Sequence, residues 1–545
     1  MFETAELGRT ISKTEYNEKF PVLRLELLQI QQRLRAANIP VILVFAGVDG
    51  AGKGETVNLL NEWMDPRWIV TRVFGQPSDE ERERPESWRY WRDLPAHGQI
   101  GAFLRSWYSQ PVLDRVNVRI DDGDLDRRLD RISAFENMLV DDGALILKFW
   151  MHLGKEAQAV RFKELEADPL TSWRVTNRDW EHWEMYDNFV AAAEHTIMRT
   201  DTGRAPWTIV EGVCKRYRAL TVGRIVAEEI TKRLDQLDLA RQIAAERKTV
   251  ETEAAKPKEK KKKKEPSAKE IKVLGDVLTP TVTVLSAMDM TKKYDGGDYL
   301  KDLEARQGKA NRLAREAADR GMSSILVFEG CDAAGKGGAI RRLTGALDAR
   351  LYHVQPVAAP TDEENVHHYL WRFWRHLQRA GRILVFDRSW YGRVLVERIE
   401  GFASEEEWRR AYAEINDFEQ QLVEHGIVLF KFWMNITKDE QLARFTSREK
   451  IAYKRWKLTD EDWRNRERWD LYEHAVDDMV AKTSTLISPW TLVEGNDKKY
   501  ARFKVLDTFC DKMEKAIAAF DAAQSKPTSR PRPTTPSKAR PTRKA

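Results

Sequence analysis

A chain of 545 residues is too long for one hydrophobic core and predicts more than one domain. With 42% hydrophobic and 32% charged residues it reads as a soluble globular protein, and its apolar runs, such as 41–45 and 325–328, are far too short to cross a bilayer. The net charge is only +5, but a lysine run at 256–264 and a tail after Gln524 concentrate bases in stretches poor in apolar residues. Both are expected to be disordered, either solvated or drawn to a polyanion.

The chain begins Met-Phe-Glu-Thr-Ala-Glu, with no basic start followed by an apolar stretch, so no signal peptide is expected. The cysteines Cys214, Cys331 and Cys510 share no metal-ligand spacing, which fits a reducing cytoplasm, with Cys214 and Cys510 as core residues. At 47–55 stands a glycine-rich loop, GVDGAGKGE, and at 330–338 a second, GCDAAGKGG. The offset of 283 residues also relates Tyr16 to Tyr299, Trp88 to Trp371, Trp107 to Trp390, Glu136 to Glu419, Trp180 to Trp463, Glu211 to Glu494 and Tyr217 to Tyr500. Tryptophan is rare, so this agreement without a gap marks a duplication. The expected organisation is an N-terminal domain (1–240), a charged linker (241–275), a C-terminal domain (276–523) and a disordered basic tail (524–545).

Each copy reads as α/β. In the second, an amphipathic helical stretch (299–320) precedes a β-rich run (324–328), the glycine-rich loop and a helical segment with Ile340, Leu343 and Leu347. Further strand-length runs at 382–386, 427–433 and 491–493 are separated by helical stretches. This alternation predicts a parallel sheet flanked by helices, with ligands at the carboxyl ends of the strands.

The loop at 330–338 satisfies G-x-x-x-x-G-K between a predicted strand and a predicted helix. Backbone amides along Gly330, Ala333, Ala334, Gly335, Gly337 and Gly338 can turn toward a phosphate, helped by the helix N-terminus, and Lys336 supplies a mobile cation. The usual Ser or Thr after the lysine is Gly337, so a hydroxyl ligand for Mg²⁺ is missing and Asp332 is the candidate substitute. Asp387, at the end of the run 382–386, is the second candidate metal carboxylate, and Arg388 is placed to neutralise charge during transfer. Residues 447–457, SREKIAYKRWK, carry Arg448, Lys450, Lys454, Arg455 and Lys457 against Glu449. Lys450, Lys454 and Lys457 share one helix face, which suggests a helical lid closing over phosphates. The cluster at 369–376 reads mainly as core packing, although Arg372 and Arg375 could line an anion channel. No metal role is expected for His367, His368 or His376.

Together, GCDAAGKGG, FDRSWYGR at 386–393 and the lid ending YKRWK resemble the family-2 polyphosphate kinases, and the resemblance covers both copies. It implies two tandem P-loop kinase-like domains and phosphoryl transfer between inorganic polyphosphate and a purine nucleotide, with Mg²⁺ as cofactor. It assigns Asp332 and Asp387 to the metal, Lys336 to phosphate, and Arg388 with the lid cations to phosphate stabilisation. The tandem arrangement is similar to the subgroup that phosphorylates AMP to ADP; acceptors ADP or GDP stay open. So does a homo-oligomer; single-domain relatives would be expected to meet as like subunits, an interface that fusion of two copies would replace. No membrane and no specific nucleic acid is implied as a partner.

The first copy departs where the chemistry lies. Leu104 stands at the position of Asp387, and 164–174 reads ELEADPLTSWR where the second copy has its basic lid. Pro169 would disturb a helix there, and Glu55 replaces Gly338, bringing negative charge near the phosphate loop. The expectation is a first copy that kept its fold and lost catalysis. Two rivals remain at this point: an ATP-dependent nucleoside monophosphate kinase and a nucleic-acid-associated P-loop module. The second is weakened because neither basic segment has interleaved aromatics for base stacking.

Overall fold

The computed structural model describes residues 1–254, 283–450 and 460–525. The chain divides into two compact units, residues 1–281 with 358–377 and 404–414, and residues 282–357 with 378–403 and 415–545. The first contains strands β1 (Val41–Gly47), β2 (Ile69–Val73), β3 (Ile100–Leu104), β4 (Leu145–His152) and β5 (Trp207–Glu211). The second contains β6 (Ser324–Gly330), β7 (Tyr352–Pro356), β8 (Ile383–Asp387), β9 (Val428–Asn435) and β10 (Trp490–Glu494). Each sheet is parallel, in the orders β2-β3-β1-β4-β5 and β7-β8-β6-β9-β10.

The central strands are near-continuous apolar runs because both faces are covered. In β6, SILVFEG, only the final glycine is not fully buried, and β9, VLFKFWMN, is buried throughout. One face carries Leu326, Phe328, Val385 and Phe432, which share a core with Leu313 of the helix Tyr299–Asp319 and Val505 and Phe509 of the helix Lys498–Gln524. On the opposite face Phe386 packs on Trp390, which meets Phe418 of the helix Glu405–Glu424 edge to face.

The run anticipated at 382–386 is shifted by one residue, so Asp387 is itself the last strand residue, opposite Phe328. Sequence reasoning missed β7, YHVQP, because an edge strand that is only half-buried carries no apolar run. Leu347 is buried beyond the end of its helix, Lys336–Thr344. Cys510 is buried as expected, whereas Cys214 is only half-buried. The helix Lys215–Ala254 runs past residue 241 into the segment expected to be linker; the lysine run at 256–264 lies outside the described residues, as does the tail beyond Ser525. Among the described residues no helix is long and apolar enough to cross a membrane.

A buried ion pair recurs in both units. Lys431, in the middle of β9, donates to Glu419 Oε2 at 2.7 Å, to the Thr483 carbonyl at 2.7 Å and to the Tyr391 hydroxyl at 3.1 Å. Glu419 also accepts from Trp390 Nε1 and the Tyr391 hydroxyl, so the segment after Asp387 is anchored to the core. Lys148, Glu136 and Tyr108 repeat the arrangement in the first unit. Burial lowers the Lys431 pKa despite the pull of Glu419. Removing one partner would leave the other uncompensated, so Lys431→Met should destabilise the fold by about 3–5 kcal/mol, read as a lower urea midpoint. An unchanged midpoint would show that the pair does not hold this segment.

Candidate active site

The phosphate loop begins where β6 ends. Gly330 adopts φ 148°, and a Cβ there would collide with the carbonyl oxygen of Met434 on β9. Ala333 and Gly335 turn the chain through left-handed conformations, φ 63° and 111°, before the helix Lys336–Thr344 starts. Arg444 holds the loop from behind: its Nη1 donates to the carbonyls of Ala333 and Ala334, and its Nη2 to those of Gly495 and Asn496. Gln441 Nε2 donates to the Asp332 carbonyl at 3.1 Å. With those carbonyls engaged, amides are left for a ligand. Those of Ala334 and Gly338 are committed to the Cys331 and Gly335 carbonyls; among the described residues no carbonyl takes the amides of Ala333, Gly335, Lys336 or Gly337. Lys336 Nζ rests on the Gly330 carbonyl at 2.6 Å and the Cys331 carbonyl at 3.4 Å.

Asp332 faces Arg388, with Oδ1 3.5 Å from Nη2, while its Oδ2 accepts from Asn465 Nδ2 at 2.8 Å. Arg388 sits at φ 68°, a costly conformation for a side-chain-bearing residue, and its amide donates to the Phe328 carbonyl at 3.1 Å. Burial works against its charge, yet Asp332, Glu329, Glu461 and Asp387 outweigh that and raise its pKa. Asp387 stands at the end of β8, and its charge acts on its neighbour Arg388 and on Glu329. Glu329, buried at the end of β6, accepts from the Ser389 hydroxyl at 2.8 Å, and burial raises its pKa against the opposing pull of Lys336 and Arg388.

Two openings flank this centre. The first, of about 810 Å³, has Glu329, Asp332, Lys336 and Arg388 beside Trp433, Leu395, Val396, Trp469, Tyr472 and Val476. The second, of about 1120 Å³, passes behind the loop between Gly335 and Gly338 and the bases Arg444, Arg448, Lys498 and Arg502. Of the expected lid cations, Arg448 lines this groove, and Lys450 is the exposed last residue of the helix Lys438–Lys450. Lys454 and Lys457 lie outside the described residues. Arg372 and Arg375 are paired with Glu364 and Glu363 beside the buried Trp371, Phe373 and Trp374, in keeping with core packing.

Sequence reasoning missed Glu329, Gln441, Arg444, Asn465 and Arg502. Gln441 and Arg444 carried a signal, a polar pair at helical spacing inside an otherwise charged segment. The others are single polar residues that only the fold brings to the loop.

In the first unit Lys53 repeats the contacts of Lys336, donating to the Gly47 carbonyl at 2.6 Å and the Val48 carbonyl at 2.8 Å. Arg105 keeps the left-handed backbone of Arg388, at φ 54°. Leu104 and Ala46 occupy the positions of Asp387 and Glu329. Glu55 does not leave the negative charge anticipated from the sequence, because Arg218, Arg174 and Arg161 surround it at 2.7, 3.0 and 3.3 Å.

The polyphosphate kinase 2 family profile matches residues 10–237 and 293–520, once over each unit's loop and sheet. A relative from Pseudomonas aeruginosa, described as a polyphosphate:AMP phosphotransferase, is 49% identical over 517 residues, covering 95% of this chain and 99% of its own. One of the same description from Pseudomonas syringae pv. tomato is 46% identical over 519 residues, covering 95% and 99%. A crystal structure from Pseudomonas aeruginosa, described as a polyphosphate kinase 2, superposes with a TM-score of 0.80 at 46% identity, over 95% of this chain and 99% of that one. Two copies of the loop, the strand-end site and the parallel sheet agree with these matches, and the chain belongs to the polyphosphate kinase 2 family.

Proposed function

We propose that the second copy transfers a phosphoryl group from inorganic polyphosphate to AMP, giving ADP and a polyphosphate one unit shorter. The observation that carries this reading is the pair of unlike openings meeting at one phosphate loop: a basic groove on one side and a partly apolar cleft on the other. A flexible polyanion needs cations and little shape recognition, which the groove of Arg448, Lys498 and Arg502 provides. A nucleoside needs apolar and aromatic surface, which Trp433, Trp469 and Tyr472 provide. AMP as acceptor is supported by the descriptions of the full-length relatives.

In the transfer, an oxygen of the AMP phosphate attacks the terminal phosphorus of polyphosphate, and the bond from that phosphorus to its bridging oxygen breaks. The shortened chain leaves with the electron pair, so no proton has to be removed from a carbon and no covalent enzyme intermediate is required. Amides of Ala333, Gly335, Lys336 and Gly337 and the Lys336 ammonium hold the donor's terminal phosphates. Arg388, fixed between the loop and the strand end, faces the charge that spreads over the moving group.

The donor set fits a divalent cation. Asp332 in the loop and Asp387 at the end of β8 offer hard carboxylate oxygens, and among the described residues no group of three or more His, Cys, Asp or Glu could hold a metal by itself. Two carboxylates completed by phosphate oxygens and water suit Mg²⁺ better than a metal that needs an all-protein site. Asp332 and Asp387 would hold it, and when bound it would neutralise phosphate charge during transfer. The reaction calls for neither membrane nor nucleic acid, and we place it in the cytoplasm, where AMP is available. The first copy, with Leu104 for Asp387, is a partner domain without catalysis.

The test is a donor and acceptor matrix with the full chain: polyphosphate or ATP against AMP, ADP, GMP and GDP, with Mg²⁺ or EDTA. ADP formed from AMP and polyphosphate, and lost in EDTA, is the expected result. Transfer from ATP but not from polyphosphate would overturn the donor assignment.

A further inference from the structure

The first unit keeps a cleft of about 710 Å³ at the same place, beside Gly47, Asp49 and Lys53, but its charge is inverted. In the second unit the acids Glu329, Asp332, Glu461 and Glu473 line the cleft against Lys336 and Arg388. In the first, Ala46 replaces Glu329, Arg178 replaces Glu461, His182 replaces Asn465 and Val190 replaces Glu473. Lys53, Arg105 and Arg178 therefore face the cleft with Asp49 as its one lining carboxylate. That carboxylate is engaged: His182 Nδ1 lies 2.8 Å from its Oδ2, and Lys53 Nζ lies 3.8 Å from its Oδ1. Arg178 Nε in turn donates to His182 Nε2 at 3.4 Å. Asp179, whose charge also reaches Lys53, spends its carboxylate capping its helix at Thr176.

Most of the remaining lining is apolar, with Tyr108, Ser109 and Thr196 as its uncharged polar residues. Val112, Leu113, Trp150 and Phe189 stand where the second unit has Leu395, Val396, Trp433 and Tyr472. The opening behind the loop, a basic groove in the second unit, has a mixed lining here: Glu62, Glu164 and Asp168 stand beside Arg161, Arg174 and Lys215, and both arginines are paired with Glu55. That side thus lacks the unopposed bases that would track a long polyanion, while a compact anion can enter the cleft.

We infer that the first-unit cleft is a binding site for a nucleoside monophosphate, held without a divalent cation and without transfer. Its phosphate meets Lys53, Arg105 and Arg178; its nucleoside lies against the apolar wall. Where the second unit needs a metal between its acids and a phosphate, the first supplies fixed cations instead. The inference stands on this cleft's own residues and not on the reaction proposed for the second unit.

Equilibrium dialysis of labelled AMP against the full chain in EDTA tests it. The expected result is binding that Arg388→Ala, in the second unit, leaves in place, and that Arg105→Ala and Arg178→Glu each weaken by about tenfold or more. Arg178→Lys should restore most of it, and unchanged thermal melting of each variant checks the fold. No binding in EDTA, or binding that survives Arg178→Glu and falls with Arg388→Ala, would overturn the site. Inorganic phosphate binding as tightly as AMP would overturn the nucleoside assignment.

Discussion

Asp387→Asn should lower kcat of the full chain by about 10³-fold or more, to the background rate. The replacement keeps the side chain's size and removes its charge, so packing at the end of β8 is preserved while a hard anionic ligand is lost. Arg388 would then feel one acid fewer among the four that sustain its charge. The effect should fall on kcat more than on the KM for AMP, because the lost interaction acts on charge at the moving phosphoryl group. A variant that kept wild-type kcat would remove Asp387 from the chemistry.

The second large effect concerns the donor. Arg448 and Arg502 flank the opening behind the phosphate loop, and Arg502 is held there by a hydrogen bond from its Nη1 to the Tyr299 hydroxyl at 3.1 Å. Replacing both with Ala should raise the KM for long polyphosphate by roughly tenfold or more and change the KM for AMP little. Because polyphosphate binding displaces counterions, log KM should rise with log salt, and each lost contact should reduce that slope by about one. If the KM for AMP moved instead, the two openings would have been assigned the wrong way round.

Much of the fold was legible because the determining signals are local. The apolar runs of β6 and β9, the glycines that allow the turn after β6, and tryptophans repeated at a fixed offset are all visible without a structure. β7 was not, because an edge strand needs no apolar run. Within the site, Lys336, Asp332, Asp387 and Arg388 belong to contiguous motifs and could be picked out. Arg444 could not be placed, since its role depends on the Ala333 and Gly495 carbonyls, far from it in the chain. Glu55 shows the opposite failure: its charge was read correctly, but Arg218, which offsets it, is 163 residues away. Charge inversion of the first cleft needed the fold too, because Arg178 and His182 matter only once the helix carrying them lies over Asp49.

The central claim is that one site, in the second copy, does all the transfer. The most direct measurement is the steady-state rate of ADP formation from polyphosphate and AMP by a full chain carrying Lys336→Met alone. The loop of the first copy, with Lys53 intact, remains in that protein. A rate at background is the predicted result; a rate near half that of the unaltered chain would contradict it, because the first copy would then be a second working site.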